Sequence, residues 1–140
     1  MNLISRRSLL SIVAVVDIAS QPESTRTSAK SISSRQDLPA AHLATLLQGL
    51  VHANILKSVR GPDGGYELAR GRDQISAGEI VRAALALNDN DSVDTSSRSK
   101  LLGFIVEPSV KKAEELFFAN LDAISVGQLC EEAESAKLAG

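Results

Sequence analysis

The sequence predicts a mainly α-helical fold with one small β-hairpin: a winged helix-turn-helix followed by a long C-terminal helix suited to dimerisation. Three observations predict it. Ile55 to Ala69 reads as two short apolar-alternating runs pinched around Gly61-Pro62-Asp63-Gly64-Gly65, the pattern of a hairpin. Just before it, Leu43, Leu46, Leu47, Leu50 and Val51 recur at i, i+3, i+4, i+7 and i+8, which places all five on one helical face. Beyond it, Leu101 to Leu121 is an aliphatic and aromatic series, too apolar to be covered by a winged domain of about 85 residues.

Taken in chain order, Leu9, Leu10, Ile12, Val13, Val16 and Ile18 predict a first helix over about Ser5 to Ser20, ended by Pro22. Gln21 to Thr27 is a polar linker. A short helix follows over roughly Ser28 to Gln36, with Ala29 and Ile32 as its inward positions, and its serine-rich composition predicts loose docking. Asp37-Leu38-Pro39 makes the turn, and Pro39 suits the first turn of the leucine-seamed helix, where a missing N–H costs nothing. In the hairpin, Pro62 presets a turn, and Gly64 and Gly65 are expected to supply positive φ. Ile75-Ser76-Ala77-Gly78-Glu79-Ile80 has the form of a capping box with a hydrophobic staple, opening a helix over about Ala77 to Leu87. Asn88 to Lys100 is a polar loop. Its Asp89, Asp91 and Asp94 do not make a calcium loop, because no glycine holds the sixth position and Lys100 stands where a bidentate glutamate belongs. Pro108 is expected to open the long apolar helix, and a second box, Ile124-Ser125-Val126-Gly127-Gln128-Leu129, to start a last one. The expected organisation is a winged helix-turn-helix over residues 1–87, a loop and connector over 88–106, and a dimerisation helix with a C-terminal helix over 107–140.

The net charge of −2 conceals an asymmetry: residues 1–72 hold nine Lys/Arg against five Asp/Glu, whereas residues 73–140 hold six against twelve. A half facing a polyanion is thereby joined to a half facing something else, unless the charges are merely solvated scatter. A single cysteine, Cys130, excludes an intramolecular disulfide and reads as buried packing rather than a reactive thiolate. The Arg6-Arg7 start followed by an apolar run faintly resembles a secretory signal, but Asp17 interrupts it. The expectation is a cytoplasmic protein with no membrane partner.

The candidate site is a nucleic-acid surface. Lys57 and Ser58 lie on the incoming hairpin strand, and Arg60 with Gly61 lies at the tip, where a guanidinium held out beside a tight turn fits a minor groove. The exposed side of the leucine-seamed helix offers Ala41, His42, Thr45 and Gln48 to base edges, and Arg7 to a phosphate. For Lys57, Arg7 and His42, plain solvated surface is the competing reading, and for Arg60 a surface ion pair. His42 and His52 differ in direction by about 80° on the 3.6-residue period, which argues against joint metal ligation. No catalytic residue, cofactor or metal site is expected. No nucleophile–base spacing is visible, and the glycine-rich loop lacks a following Lys-Ser/Thr.

Several of these stretches resemble a family of bacterial winged-helix regulators, that of IscR, NsrR and CymR. The resemblance is carried by Asp17-Ile18-Ala19, Ser33-Ser34-Arg35-Gln36, Ser58-Val59-Arg60-Gly61-Pro62-Asp63-Gly64-Gly65-Tyr66 and Ile75-Ser76-Ala77-Gly78-Glu79-Ile80, and extends to about Glu132. It implies a homodimeric transcriptional regulator, a repressor, gripping a palindromic operator on double-stranded DNA, with room for an unknown effector or regulatory protein. Two departures stand out. The best-known members hold an iron-sulphur cluster through three loop cysteines, whereas Asn88 to Lys100 contains none; and Leu10 stands where the family usually has an aromatic. A rival reading from the alanine-rich reading helix is a protein-interaction adaptor dimer that has lost operator reading. Salt-dependent duplex binding separates the two.

Overall fold

The computed structural model describes residues 4–22, 25–87 and 99–137. Six α-helices and one hairpin occur among them: α1 (Arg6–Ala19), α2 (Ala29–Gln36), α3 (Ala40–His52), β1 (Leu56–Val59), β2 (Gly65–Leu68), α4 (Ala77–Ala86), α5 (Glu107–Asp122) and α6 (Val126–Ser135). The expected polar loop Asn88 to Lys100, with its Asp89, Asp91 and Asp94, lies outside the described residues as far as residue 98.

Four helices begin at a serine whose hydroxyl accepts a backbone N–H three residues on: Ser5 from Ser8, Ser28 from Ser31, Ser76 from Glu79 and Ser125 from Gln128. Each satisfies one orphan donor of its first turn. The helix α3 starts differently. Pro39 is its N-cap and makes no side-chain cap bond, so the proline stands one residue before the first turn in which it was expected. Two left-handed residues turn the chain between elements. Asp37 (φ 52°) joins α2 to α3 and Asn54 (φ 61°) joins α3 to β1, with Leu38 N–H donating to Ser33 O and Ile55 N–H to Leu50 O. These are helix-ending turns that satisfy terminal carbonyls.

The core joins Ile18, Ile32, Leu43, Leu47, Leu50, Ile55, Leu56, Ile75 and Ile80 to Val126 and Cys130. The predicted apolar seam of α3 is thus the centre of the domain, and α6 contributes to the same core. Cys130 is fully buried, with Ser20 Oγ 3.7 Å from its sulphur.

Polar chemistry fastens α2. Asp17, almost wholly buried on α1, accepts from Arg35 Nε (3.1 Å) and Nη2 (2.7 Å) and from Gln36 Nε2 (2.8 Å). Donating to the Asp17 carboxylate holds the Arg35 guanidinium above its ordinary value, against the opposing effect of burial. The expectation of loose docking is therefore corrected: one buried apolar side chain, Ile32, and a bidentate ion pair from the half-exposed Arg35 to the buried Asp17 hold α2 in place.

The two expected caps prove to be halves of one joint. Ser76 and Ser125 form an isolated antiparallel bridge, Ala77 N–H donating to Ile124 O and Val126 N–H to Ile75 O, both at 2.8 Å. Each cap lies in the pattern Asp-x-Ile-Ser-x-Gly, at Asp73 to Gly78 and Asp122 to Gly127, and the glycine of each faces the aspartate of the other at a distance that leaves no room for a Cβ. Only one half of the first box forms as anticipated: the Glu79 carboxylate turns to Arg70 (2.9 Å). Arg82 on α4 completes the joint, bidentate to Asp122 at 2.7 and 3.0 Å and 4.7 Å over the Phe118 ring.

Pro108 stands in the first turn of α5, as expected, but it is not where the helical rod begins. The helical rod is already under way at Lys100, Ser99 Oγ accepting from Leu102 N–H, and a π turn spans Leu102–Val106 immediately before α5. Pro108 carries no N–H for the carbonyl four residues back and would clash with it, and a widened turn relieves both problems. The rod has no buried residue in α5, and Leu101, Phe104, Ile105, Val110 and Leu116 are exposed.

Candidate nucleic-acid interface

The wing is an antiparallel pair with register Leu56↔Leu68, Lys57↔Glu67, Ser58↔Tyr66 and Val59↔Gly65. Its tip, residues 60–64, closes through Gly64 N–H donating to Gly61 O at 2.9 Å. The positive-φ glycines are Gly61 (116°) and Gly65 (156°), not Gly64 and Gly65 as expected. Gly64 is needed for space instead, since a Cβ there would run into the backbone of Val59 and Arg60.

Thr27 is a feature that sequence reasoning missed. It sits within the segment read as linker, yet it bridges to Tyr66, exchanging both backbone hydrogen bonds at 3.0 and 2.8 Å. This single bridged residue adds a third chain beside β2 near the tip end of the wing, and Gly65 lets the Thr27 backbone approach. No periodicity marks a single bridged residue, so only the tertiary contact reveals it.

Arg60 is exposed at the tip and has no hydrogen-bond or ion-pair partner among the described residues. The competing reading of a surface ion pair finds no partner there. Lys57 is exposed but engaged, its Nζ 3.2 Å from Glu67 Oε1 across the strand pair. Ser58 is exposed on β1 and Gly61 at the tip.

On α3, Ala41, His42, Thr45 and Gln48 are all exposed, opposite the buried leucine seam. Arg7 on α1, also exposed, lines one groove with Arg6, Leu10, Pro39, His42 and Thr45. The structure therefore brings Arg7, His42 and Thr45 together, while Gln48 lies one turn further along the same helix. Neither arginine nor lysine stands on α3. Cationic character comes from flanking elements: Arg6 and Arg7 on α1, Arg60 at the tip, and Arg26 and Lys30 on either side of Thr27 and Ser28, all exposed. Such a surface positions a duplex through phosphates and leaves base reading to small and neutral side chains.

A family model, Rrf2, described as an iron-dependent transcriptional regulator, matches residues 4–132. The solved structure of IscR from T. potens superposes with a TM-score of 0.75 at 31% identity, covering 99% of this chain and 93% of that one. The structure of CymR from B. subtilis gives a TM-score of 0.69 at 25% identity over 94% and 98% of the two chains. The HTH-type transcriptional regulator IscR of Cereibacter sphaeroides is 37% identical over 82 residues, 57% of this chain and 53% of that protein. The match spans about half the length of the curated relatives. These relatives are transcriptional regulators, not enzymes.

The iron named in the family description can be set against the donors present. The only thiol, Cys130, is fully enclosed between α6 and the end of α1, and the sequence offers no second cysteine. A cluster held by three thiolates of one chain does not fit this donor set, and no step is routed through one. No helix among the described residues is long and apolar enough to cross a membrane.

Proposed function

The chain belongs to the Rrf2 family of transcriptional regulators, and from that premise we propose that it is a repressor that binds double-stranded DNA as a homodimer without an iron-sulphur cluster. The observation that carries the reading is Arg60, held free at the tip of a glycine-closed wing beside a helix whose outer side is wholly exposed. In this reading Arg60 and Gly61 enter a minor groove, while Ala41, His42, Thr45 and Gln48 on α3 face a major groove. Arg7 and Ser58 contact backbone, with Lys57 shared between a phosphate and Glu67.

Residues 1–87 grip DNA, 88–106 connect, and 107–140 hold the helix α5 that pairs two copies and the C-terminal helix α6, which packs back on the core. Pairing is supported by the exposed apolar side of the rod from Leu101 to Leu116, which a second copy would cover. A two-fold dimer matches a palindromic operator, and blocking of polymerase is then steric. An effector or regulatory protein of unknown identity would act by changing the spacing of the two reading heads. A cytoplasmic location accords with this role.

Duplex binding measured against salt tests the proposal. The wild-type chain should show a steep negative dependence from several phosphate contacts, and Arg60→Ala should weaken binding and lower the slope by about one. A chain that binds no duplex at low salt would instead support the protein-interaction adaptor favoured by the alanine-rich, uncharged outer side of α3.

A further inference from the structure

The edge chain at Thr27 has a consequence for charge. Because Thr27 pairs with Tyr66, and Tyr66 with Ser58, the three residues form one row across the widened wing. The bridge is isolated and does not continue as a ladder, so Arg26 stands one residue outside it, exposed at the edge of the wing and next to the buried Thr27. Glu67, the one acid of β2, faces Lys57.

Glu67 is already taken by Lys57 at 3.2 Å. Arg26 has no partner among the described residues and is exposed; Lys30, in the first turn of α2, has the same properties. Both are anchored. Thr27 is held by two backbone hydrogen bonds, and Ser28 caps α2 through Ser31 N–H. Two cations without a partner among the described residues thus flank a corner fixed to the outer edge of the wing.

We infer that Arg26 and Lys30 form a second phosphate-binding shoulder, on the edge of the wing away from β1, that holds the DNA backbone independently of base sequence. Adjacent strands lie about 4.8 Å apart, so the edge chain is two strand spacings, roughly 10 Å, from the strand that carries Arg60. The shoulder therefore meets the DNA backbone apart from the groove contact of the tip and contributes separately to counterion release.

The inference rests on the DNA-binding reading above, and the test distinguishes the two. Fluorescence anisotropy with a random-sequence duplex, which reports phosphate contacts alone, is recorded across a salt series for the full chain, for Arg26→Ala/Lys30→Ala and for Arg26→Lys. The double variant should lower the salt slope by about 1.8, at roughly 0.9 per phosphate neutralised, and Arg26→Lys should retain the wild-type slope. Thermal melts of each variant confirm the fold, which exposed side chains without partners should leave unchanged. A double variant with the wild-type slope overturns the shoulder while leaving DNA binding intact. Absence of duplex binding by the wild-type chain overturns the DNA reading itself, and the shoulder with it.

Discussion

Replacing Arg35 by alanine should destabilise the domain far more than loss of an ordinary surface ion pair would. Arg35 supplies two of the three hydrogen bonds to an Asp17 carboxylate whose side chain is only 2% exposed. Removing it leaves a buried anion with a single donor, Gln36. Breaking a buried pair in this way costs about 3–5 kcal/mol. Arg35 itself is 31% exposed, so water can follow it into the gap, and a value near the lower end, about 3 kcal/mol, is expected. Against a total of about 5–15 kcal/mol for a typical domain, that is a large fraction. It corresponds to a fall in Tm of roughly 10 °C for a chain of this size.

The companion change, Asp17→Asn, should cost less, about 1–2 kcal/mol, because the guanidinium left behind can turn to solvent. Combining the two should recover part of the loss from Arg35→Ala, since a neutral amide is all that then stays buried. Urea unfolding of the four proteins, with the slope m checked for constancy, provides the cycle. A loss of about 0.5 kcal/mol or less for Arg35→Ala, the range of exposed pairs, or an equal loss for both single changes, would refute the reasoning.

The joint between α4 and α6 predicts a contrast between two glycines. Gly78→Ala should cost roughly 1–3 kcal/mol, because its Cβ meets the Asp122 carboxylate and backbone; Gly103→Ala, where a Cβ meets nothing within 4 Å, should be neutral or stabilising by up to about 1 kcal/mol in chemical denaturation. The same joint has a pH signature. Hydrogen bonds from Arg82 hold the Asp122 carboxyl below its ordinary range, with a smaller contribution from Ser76. Its stabilisation is therefore complete above that range and is lost as pH falls through the depressed folded-state value. The stability gap between wild type and Asp122→Asn should stay level from neutral pH down and narrow only below about pH 4; a gap that closes between pH 7 and 5 would contradict this. Finally, Phe104→Glu with Leu116→Glu, at two exposed points of the rod, should give a folded monomer by light scattering if that side pairs two copies. An unchanged dimer would exclude it.

Much of the architecture was readable from residues that act locally. Serine caps and the leucine seam of α3 depend on neighbours within one or two turns, and each lies where its spacing puts it. Contacts between segments far apart in the chain were not readable. Asp17 and Arg35 stood out in the sequence only as parts of separate motifs, and nothing in their 18-residue separation signals that one motif binds the other. Thr27 has the same character, since a residue among polar neighbours gives no period to detect. Pro108 opens α5 as its position suggested, but the helical start at Lys100 and the widened turn ahead of the proline give no sequence signal. Of the candidate interface, the tip and the outer side of α3 were legible from composition, but the ion pair that engages Lys57 and the edge position of Arg26 emerge only from the pairing of strands.

The widened turn ahead of Pro108 also decides which side chains line up along the rod. In an unbroken α-helix, the positions one and two turns upstream of Val110 would be Val106 and Gly103. One additional residue in the turn slides the upstream segment by about 100°, bringing Ile105 and Leu102 into that line, with Leu101 beside them. A gap at glycine is thereby replaced by an aliphatic line from Leu102 through Ile105 to Val110. The proline that widens the helix is thus also what keeps that line unbroken.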